Sequence, residues 1–168
     1  MRTYYVVDWM TTPPLLARPT TTLDDAQKLM AHRHVRRLPV VHDGRLVGIL
    51  TWGDLRAARP SAATTLSVYE WRALLEQATI AECMTRDPIT IAADAPVLDA
   101  AQHMLMHKIS GLPVIEDTRV VGVITESDLF RLLIAESVGA DATDTRRMIP
   151  SVQVVVETPD AVAADVRS

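Results

Sequence analysis

One segment occurs twice in this chain, because residues 10–57 recur at residues 84–131 without a gap. The offset is constant at 74 positions, from Met10 to Met84 and from Pro39 to Pro113. Each copy ends in the pattern Gly-x-x-Thr-x-x-Asp, which closes at Asp54 in the first copy. A duplicated unit that ends in this way predicts two related clefts, each with a hydroxyl and a carboxylate at its mouth.

Each copy has the pattern of a β-α-β-β-α unit. In the first copy, residues 15–17 predict a minimal strand, and the motif Thr22-x-x-Asp25 predicts the start of an amphipathic helix. Residues 38–41 and 46–50 then predict a hairpin around the turn Asp43-Gly44. The second copy repeats these elements, with residues 89–91 as its first strand.

A three-stranded sheet of this kind cannot bury both of its faces alone. We therefore predict an α+β fold in which two small three-stranded sheets pack face to face. The predicted organisation is repeat 1 at residues 1–60, a linker helix within 61–78, repeat 2 at 79–138 and a tail at 139–168. Residues 152–156 of the tail are a candidate for one extra strand.

The composition limits the kind of partner. The net charge of -4 argues against nucleic-acid or anionic-membrane binding, and the basic run at residues 32–37 is short. No apolar run approaches the roughly 18 residues that span a bilayer, and the first residues do not resemble a signal peptide. The single Cys83 cannot form an internal disulfide and is expected to be a buried structural thiol. We therefore expect a cytoplasmic protein.

Three shared motifs carry a family resemblance. Met-Thr near the start of each copy, Leu-Pro-Val-[Val/Ile] in its middle and Gly-x-x-Thr-x-x-Asp at its end resemble a tandem pair of CBS domains, also called a Bateman module. The resemblance covers about residues 7–136, and residues 64–71 are similar to stand-alone members of the acetoin-utilisation type. It implies regulatory binding of adenosine-containing ligands (AMP, ADP, ATP, S-adenosylmethionine or NAD), with AMP or ATP favoured and no cofactor required.

The resemblance also implies which residues bind. Thr51 with Asp54 would mark one cleft, and Thr125 with Asp128 the other, with the Asp accepting ribose hydroxyls. A carboxylate suits a cis-diol because charge-assisted hydrogen bonds are strong. Arg36 matches a phosphate-contacting position, which makes the first cleft the better one for a phosphorylated ligand. The residues expected near the adenine are Leu15, Leu16, Ile89, Thr90, Lys108, Ser110 and Gly111.

Other interpretations of these residues stay open. Asp54 and Asp128 are also suited to capping helices, and Trp52 to stacking on a ligand or shielding a dimer contact. The pair His103 and His107 lacks a third metal ligand at matching spacing, so no metal site is predicted.

No nucleophile–base pair or Gly-rich phosphate loop is present in the sequence, so we predict no enzyme. Two functions remain. One is a small-molecule sensor, a homodimer that signals in trans to an effector protein. The alternative is a ligand-free dimerisation scaffold. The second helices of the copies, residues 55–58 and 129–134, are candidate dimer contacts.

Overall fold

The helices and strands follow one another as the duplicated sequence predicts. The structure is a computed structural model that describes residues 3–58, 67–139 and 145. Its first elements are α1 (Val6–Trp9), α2 (Leu23–His32), β1 (Arg37–His42), β2 (Arg45–Thr51), α3 (Trp52–Ala57) and α4 (Val68–Gln77). A 3₁₀ turn (Ile80–Glu82), β3 (Thr85–Arg86), β4 (Ile91–Ala92), α5 (Val97–His107), β5 (Gly111–Glu116), β6 (Arg119–Thr125) and α6 (Glu126–Val138) complete them.

The predicted α+β class is confirmed, because the strands form two three-stranded sheets, β1-β2-β3 and β4-β5-β6. Both hairpins are antiparallel, and both carry an irregularity at matching places, after Val40 and after Val114. The first hairpin turns at Asp43 and Gly44, whose φ angles of 48° and 75° are the positive values that such a tight turn requires. The prediction of this turn from the residue types Asp and Gly is therefore confirmed.

The first strands of the copies are shorter than predicted. In the first copy only Ala17 pairs with β1, through a parallel bridge to Val40. In the second copy pairing starts at Ile91 rather than at residue 89. Parallel contact with β1 or β5 therefore begins at the end of each predicted segment. The candidate strand at residues 152–156 lies outside the described residues.

The start of each repeat joins the sheet of the other repeat. β3, from the second repeat, pairs with β2 of the first, and Thr11, from the first repeat, bridges Val123 on β6. The chain accordingly divides into two compact units. Of the described residues, unit 1 combines those up to Pro14 with those from Ile89 onward, and unit 2 contains Leu15–Pro88. The compact units and the sequence repeats thus have different boundaries.

A glycine in each motif makes room for this exchanged segment. A Cβ on Gly48 would lie 2.5 Å from Met84 Sδ and 3.0 Å from the carbonyl oxygen of Thr85. In unit 1, Met10 lies over Gly122, where a Cβ would be 3.0 Å from the carbonyl oxygen of Thr11. The Met-Thr motif and the motif glycine therefore form one packing unit, in which only glycine lets the backbone segments approach so closely.

Gly48→Ala should therefore destabilise the protein. The added methyl group meets a side chain that can move but also a backbone oxygen that cannot, so we expect a loss of about 1–3 kcal/mol, typical of overpacking. Urea unfolding followed by circular dichroism measures the change. Gly53→Ala on the exposed side of α3 is the control and should change stability by less than about 1 kcal/mol. An unchanged midpoint for Gly48→Ala would contradict the packing role of the motif glycine.

Unit 1 has a hydrophobic core built from both of its chain segments. α1 is fixed to the second repeat by hydrogen bonds from Val6 N to Ala95 O (2.9 Å) and from Val97 N to Tyr4 O (2.8 Å). The core residues are Val6, Trp9, Met10, Ile91, Val97, Ala100, Met104, Leu112, Val114, Ile124 and Ala135. The repeat that supplies β5 and β6 therefore depends on the first residues of the chain for part of its core.

Unit 2 buries the equivalent face of the first repeat. Its largest fully buried side chains are Met30, Leu38, Leu50, Leu55 and Ile80. α4 packs against α2 and begins with a capping box, in which Ser67 N donates to Glu70 Oε2 at 2.7 Å. None of the helices in the described part of the chain is long and apolar enough to cross a membrane.

Candidate functional site

Thr51 and Asp54 form a capping box where β2 passes into α3. The backbone N–H and the hydroxyl of Thr51 both donate to Asp54 Oδ2, at 2.7 Å each. Asp54 N donates in return to Thr51 Oγ1 at 3.2 Å. Oδ1 of Asp54 accepts no hydrogen bond from the described residues. The carboxylate is therefore held rigidly by one oxygen while the other can accept a ligand hydroxyl.

The second copy repeats the hydrogen bonds to Oδ2 but differs at Oδ1. Thr125 N and Thr125 Oγ1 donate to Asp128 Oδ2 at 2.8 and 2.7 Å. Here, however, Arg131 Nη1 donates to Oδ1 and forms an ion pair with the carboxylate. Asp128 is buried, with 1% of its side chain exposed, whereas Asp54 is half-buried. The two motif carboxylates are therefore chemically different, although their sequence motifs match.

The structure brings Arg36 to the motif of the first copy. The carbonyl oxygen of Arg36 accepts a hydrogen bond from Trp52 N at 3.1 Å, and the next residue, Arg37, pairs with Thr51 across the sheet. The side chain of Arg36 is exposed. The predicted neighbourhood of Arg36, Thr51 and Asp54 is therefore present within unit 2.

Ser110 takes the place of Arg36 in unit 1. Its carbonyl oxygen accepts from Glu126 N at 3.2 Å, and Gly111 pairs with Thr125. Lys108 ends α5 in the left-handed conformation, with φ 54°. The unit 1 motif thus has a serine where unit 2 has a guanidinium, as the sequence predicts.

The residues expected near adenine fall into both units. Leu15 is buried and Leu16 half-buried, and both directly precede the Ala17 bridge in unit 2. Ile89 and Thr90 are half-buried and directly precede β4 in unit 1. Each motif therefore has its own short apolar segment in the same compact unit.

Sequence reasoning missed two neighbours of the motif carboxylates. Arg131 follows Asp128 by three helical positions, a spacing at which opposite charges meet on a helix, so its signal was present in the sequence. Cys83 is far from Asp54 in the chain, and no sequence signal links them. Burial raises the pKa of the partly buried Cys83 thiol, and the carboxylates of Asp54 and Glu82 raise it further. Cys83 is therefore a weakly ionised thiol near Asp54.

The two histidines of α5 lie against each other, with His103 half-buried and His107 exposed. The rings of His103 and His107 stack with centroids 5.8 Å apart and an interplanar angle of 12°. No group of three or more His, Cys, Asp or Glu side chains within residues 3–58 and 67–139 is placed to hold a metal ion.

The chain belongs to the CBS-domain family, because the family model matches residues 6–61 and 80–135. It is 39% identical over 116 residues to a CBS domain-containing protein of Dictyostelium discoideum. The match covers 68% of this chain and 80% of that protein. It is 35% identical over 129 residues to L-aspartate semialdehyde sulfurtransferase of Methanocaldococcus jannaschii. That similarity covers 76% of this chain but 23% of the enzyme, so it concerns only a part of the enzyme.

Solved structures show the same similarity. The CBS domain pair of protein MJ0100, in complex with 5′-methylthioadenosine and S-adenosyl-L-methionine, is 34% identical with a TM-score of 0.67, and the match covers 80% of this chain and 99% of that one. CBSX2 in complex with AMP is 28% identical, with a TM-score of 0.65 and coverages of 78% and 97%. A Vibrio cholerae protein assigned to acetoin utilization, AcuB, is 32% identical with a TM-score of 0.67, and the match covers 81% of this chain and 94% of that one. The resemblance to stand-alone CBS pairs is therefore confirmed.

Proposed function

We propose that this chain is a regulatory sensor that binds an adenosine-containing ligand at Arg36, Thr51 and Asp54. The observation that carries the proposal is the Asp54 carboxylate, fixed through Oδ2 by Thr51 while Oδ1 accepts no hydrogen bond from the described residues. The relatives that bind AMP or S-adenosylmethionine support it. Under this proposal the pair is not itself catalytic.

The chemistry of each group fits one part of such a ligand. Asp54 Oδ1 would accept a ribose hydroxyl in a charge-assisted hydrogen bond. The exposed guanidinium of Arg36 offers planar donors to a phosphate. Leu15 and Leu16 would provide an apolar surface for the base. In unit 1 the corresponding residues would be Ile89, Thr90, Lys108, Ser110 and Gly111 around Thr125 and Asp128.

A phosphate on the ligand is favoured by Arg36, so AMP or ATP is proposed ahead of S-adenosylmethionine. A thermal-shift panel with adenosine, AMP, ATP, S-adenosylmethionine and NAD tests this. A ligand at about 100 times its Kd adds about 2.7 kcal/mol, which moves the Tm by several degrees. We expect AMP or ATP to give the largest shift, and Arg36→Ala to reduce it towards that of adenosine.

The control for that experiment is Arg45→Ala, which removes an exposed arginine at the far end of β2. It should leave the nucleotide shift unchanged. If no adenosine compound shifts the Tm of the unmodified protein, the sensor proposal is wrong, and the ligand-free scaffold becomes the better explanation.

We also propose that the chain forms a homodimer through α5 and α6 and signals in trans to an effector protein. α6 exposes Phe130, Leu133, Ile134 and Val138, which lie at helical spacing and form one stripe. α5, which packs against α6, exposes Leu98, Leu105 and Met106. Exposed apolar surface of this extent is typical of an interaction site, and two-fold pairing is the commonest way to cover it. In the first copy, Leu55 is buried, so its second helix lacks such a stripe.

Phe130→Glu should convert the dimer into a monomer. Phe130 is 61% exposed, so a charge at this position costs little in the monomer but must be desolvated in a dimer contact, at several kcal/mol. Sedimentation equilibrium measures the change in mass. Tyr69→Glu on α4, where Tyr69 is 87% exposed, is the matched control and should stay dimeric. A Phe130→Glu variant that remains dimeric would place the interface elsewhere.

A further inference from the structure

We propose that Arg131 is a specificity-determining residue that closes the second motif to ligand, so that each chain binds a single adenosine-containing ligand, at Asp54. This inference rests on the proposed function. It concerns a difference between the two motifs in the partner of the carboxylate oxygen Oδ1.

In unit 1 both carboxylate oxygens already have hydrogen-bond partners. Oδ2 of Asp128 accepts two hydrogen bonds from Thr125, and Oδ1 is bound by the Arg131 guanidinium. Only 1% of the Asp128 side chain and 15% of the Arg131 side chain are exposed. A ribose hydroxyl would have to displace Arg131 from Oδ1. That step would leave a mostly buried guanidinium without its carboxylate, which is unfavourable.

In unit 2 no residue that the structure describes replaces this arginine at Oδ1. The position equivalent to Arg131, 74 residues earlier, is Ala57, which is exposed on α3 and carries only a methyl group. The two bonds that Oδ2 of Asp54 accepts from Thr51 match those that Oδ2 of Asp128 accepts from Thr125 to within 0.1 Å (2.7 and 2.7 Å against 2.8 and 2.7 Å). Among the described residues, Arg131 is therefore what distinguishes the partners of Oδ1 in the two motifs.

Arg131 and Ser110 act in the same direction. Unit 1 has Ser110 where unit 2 has Arg36, so it lacks the proposed phosphate donor as well as a free carboxylate oxygen. A purely structural role for the ion pair, as a stabiliser of the first turn of α6, would affect the melting temperature but not the number of ligands bound. Binding stoichiometry therefore distinguishes the two roles.

Isothermal titration calorimetry of the full chain with AMP tests the inference. One variant removes the arginine from the second motif, and another introduces an arginine at the equivalent position of the first. The unmodified protein should bind one equivalent of AMP per chain. Arg131→Ala should add a second, weaker equivalent, and Asp128→Asn in that background should remove it. Ala57→Arg should weaken binding at Asp54 by at least about tenfold, as expected if the new ion pair is closed about 90% of the time.

The use of both Arg131→Ala and Ala57→Arg keeps the test conclusive if one variant fails to fold. Ala57 is exposed, so an arginine at this position does not disturb the core even if Arg131→Ala fails to fold. Two equivalents in the unmodified protein, or unchanged affinity in Ala57→Arg, would overturn the closure by Arg131 and leave the proposed function standing. Absence of AMP binding in the unmodified protein and in Arg131→Ala alike would overturn both, because the released carboxylate then creates no site.

Discussion

Asp54→Ala is expected to weaken nucleotide binding by about 100-fold. The substitution removes the acceptor for the ribose hydroxyls, and hydrogen bonds to a charged group contribute about 1.5–3 kcal/mol each, where 2.7 kcal/mol corresponds to 100-fold. It also removes the capping box at the start of α3, which costs about 1 kcal/mol of stability. Calorimetric titration with AMP gives the affinity, and urea unfolding of the same samples gives the stability.

The two effects of Asp54→Ala are separated by a second capping box. Ser67 and Glu70 make the same three hydrogen bonds at the start of α4, at 2.7, 2.8 and 3.3 Å. Glu70→Ala should therefore lower stability to a similar extent and leave AMP affinity unchanged. If Asp54→Ala binds AMP as well as the unmodified protein, Asp54 is a capping residue only, and the proposed site is wrong.

Leu112→Ala is expected to destabilise the protein by about 2–5 kcal/mol, the range for a leucine removed from a packed core. Leu112 is fully buried, at the start of β5 and within the core of unit 1. Its equivalent in unit 2, Leu38, is also fully buried. Because both side chains occupy the same place in matching hairpins, Leu38→Ala should cost a similar amount.

Chemical unfolding of the two variants also tests whether the units unfold together. If they do, each substitution shifts one common transition that circular dichroism and tryptophan fluorescence report alike. Two separate transitions would indicate that each unit unfolds independently. Tyr69→Ala on the surface of α4 should change stability by no more than about 0.5 kcal/mol. A loss below about 1 kcal/mol for both leucine variants would contradict their assignment to the core.

Local structure was predictable from the sequence because its causes are local. The turn Asp43-Gly44 and the capping boxes at Thr51 and Ser67 depend on residues no more than three positions apart. Because the second copy repeats the first at an offset of 74 positions, most of these predictions also apply to the second copy. The motif residues Arg36, Thr51 and Asp54 were brought together for the same reason, since a hairpin and the helix that follows it position all three.

Contacts between distant segments were not predictable in this way. Both copies begin with the same Met-Thr motif, so no residue type indicates that Thr11 pairs with the sheet of the second repeat. The proximity of Cys83 to Asp54 depends on the same exchange, because Cys83 directly precedes Met84, which lies over Gly48. The ion pair of Arg131 with Asp128 is, in contrast, a local contact that the sequence analysis missed although the spacing of three positions indicates it.

The exchanged first segments limit how this chain can be divided. A polypeptide that contained one repeat alone would carry a Met-Thr segment whose partner glycine lies in the other repeat. Such a half could complete its sheet only by trading segments with a second identical polypeptide, as in a domain-swapped dimer. When both repeats lie in one chain, the exchange of segments is intramolecular and no longer depends on protein concentration. Genetic dissection of the protein should therefore cut at the boundaries of the compact units, after Pro14 and Pro88, and supply the three resulting pieces together.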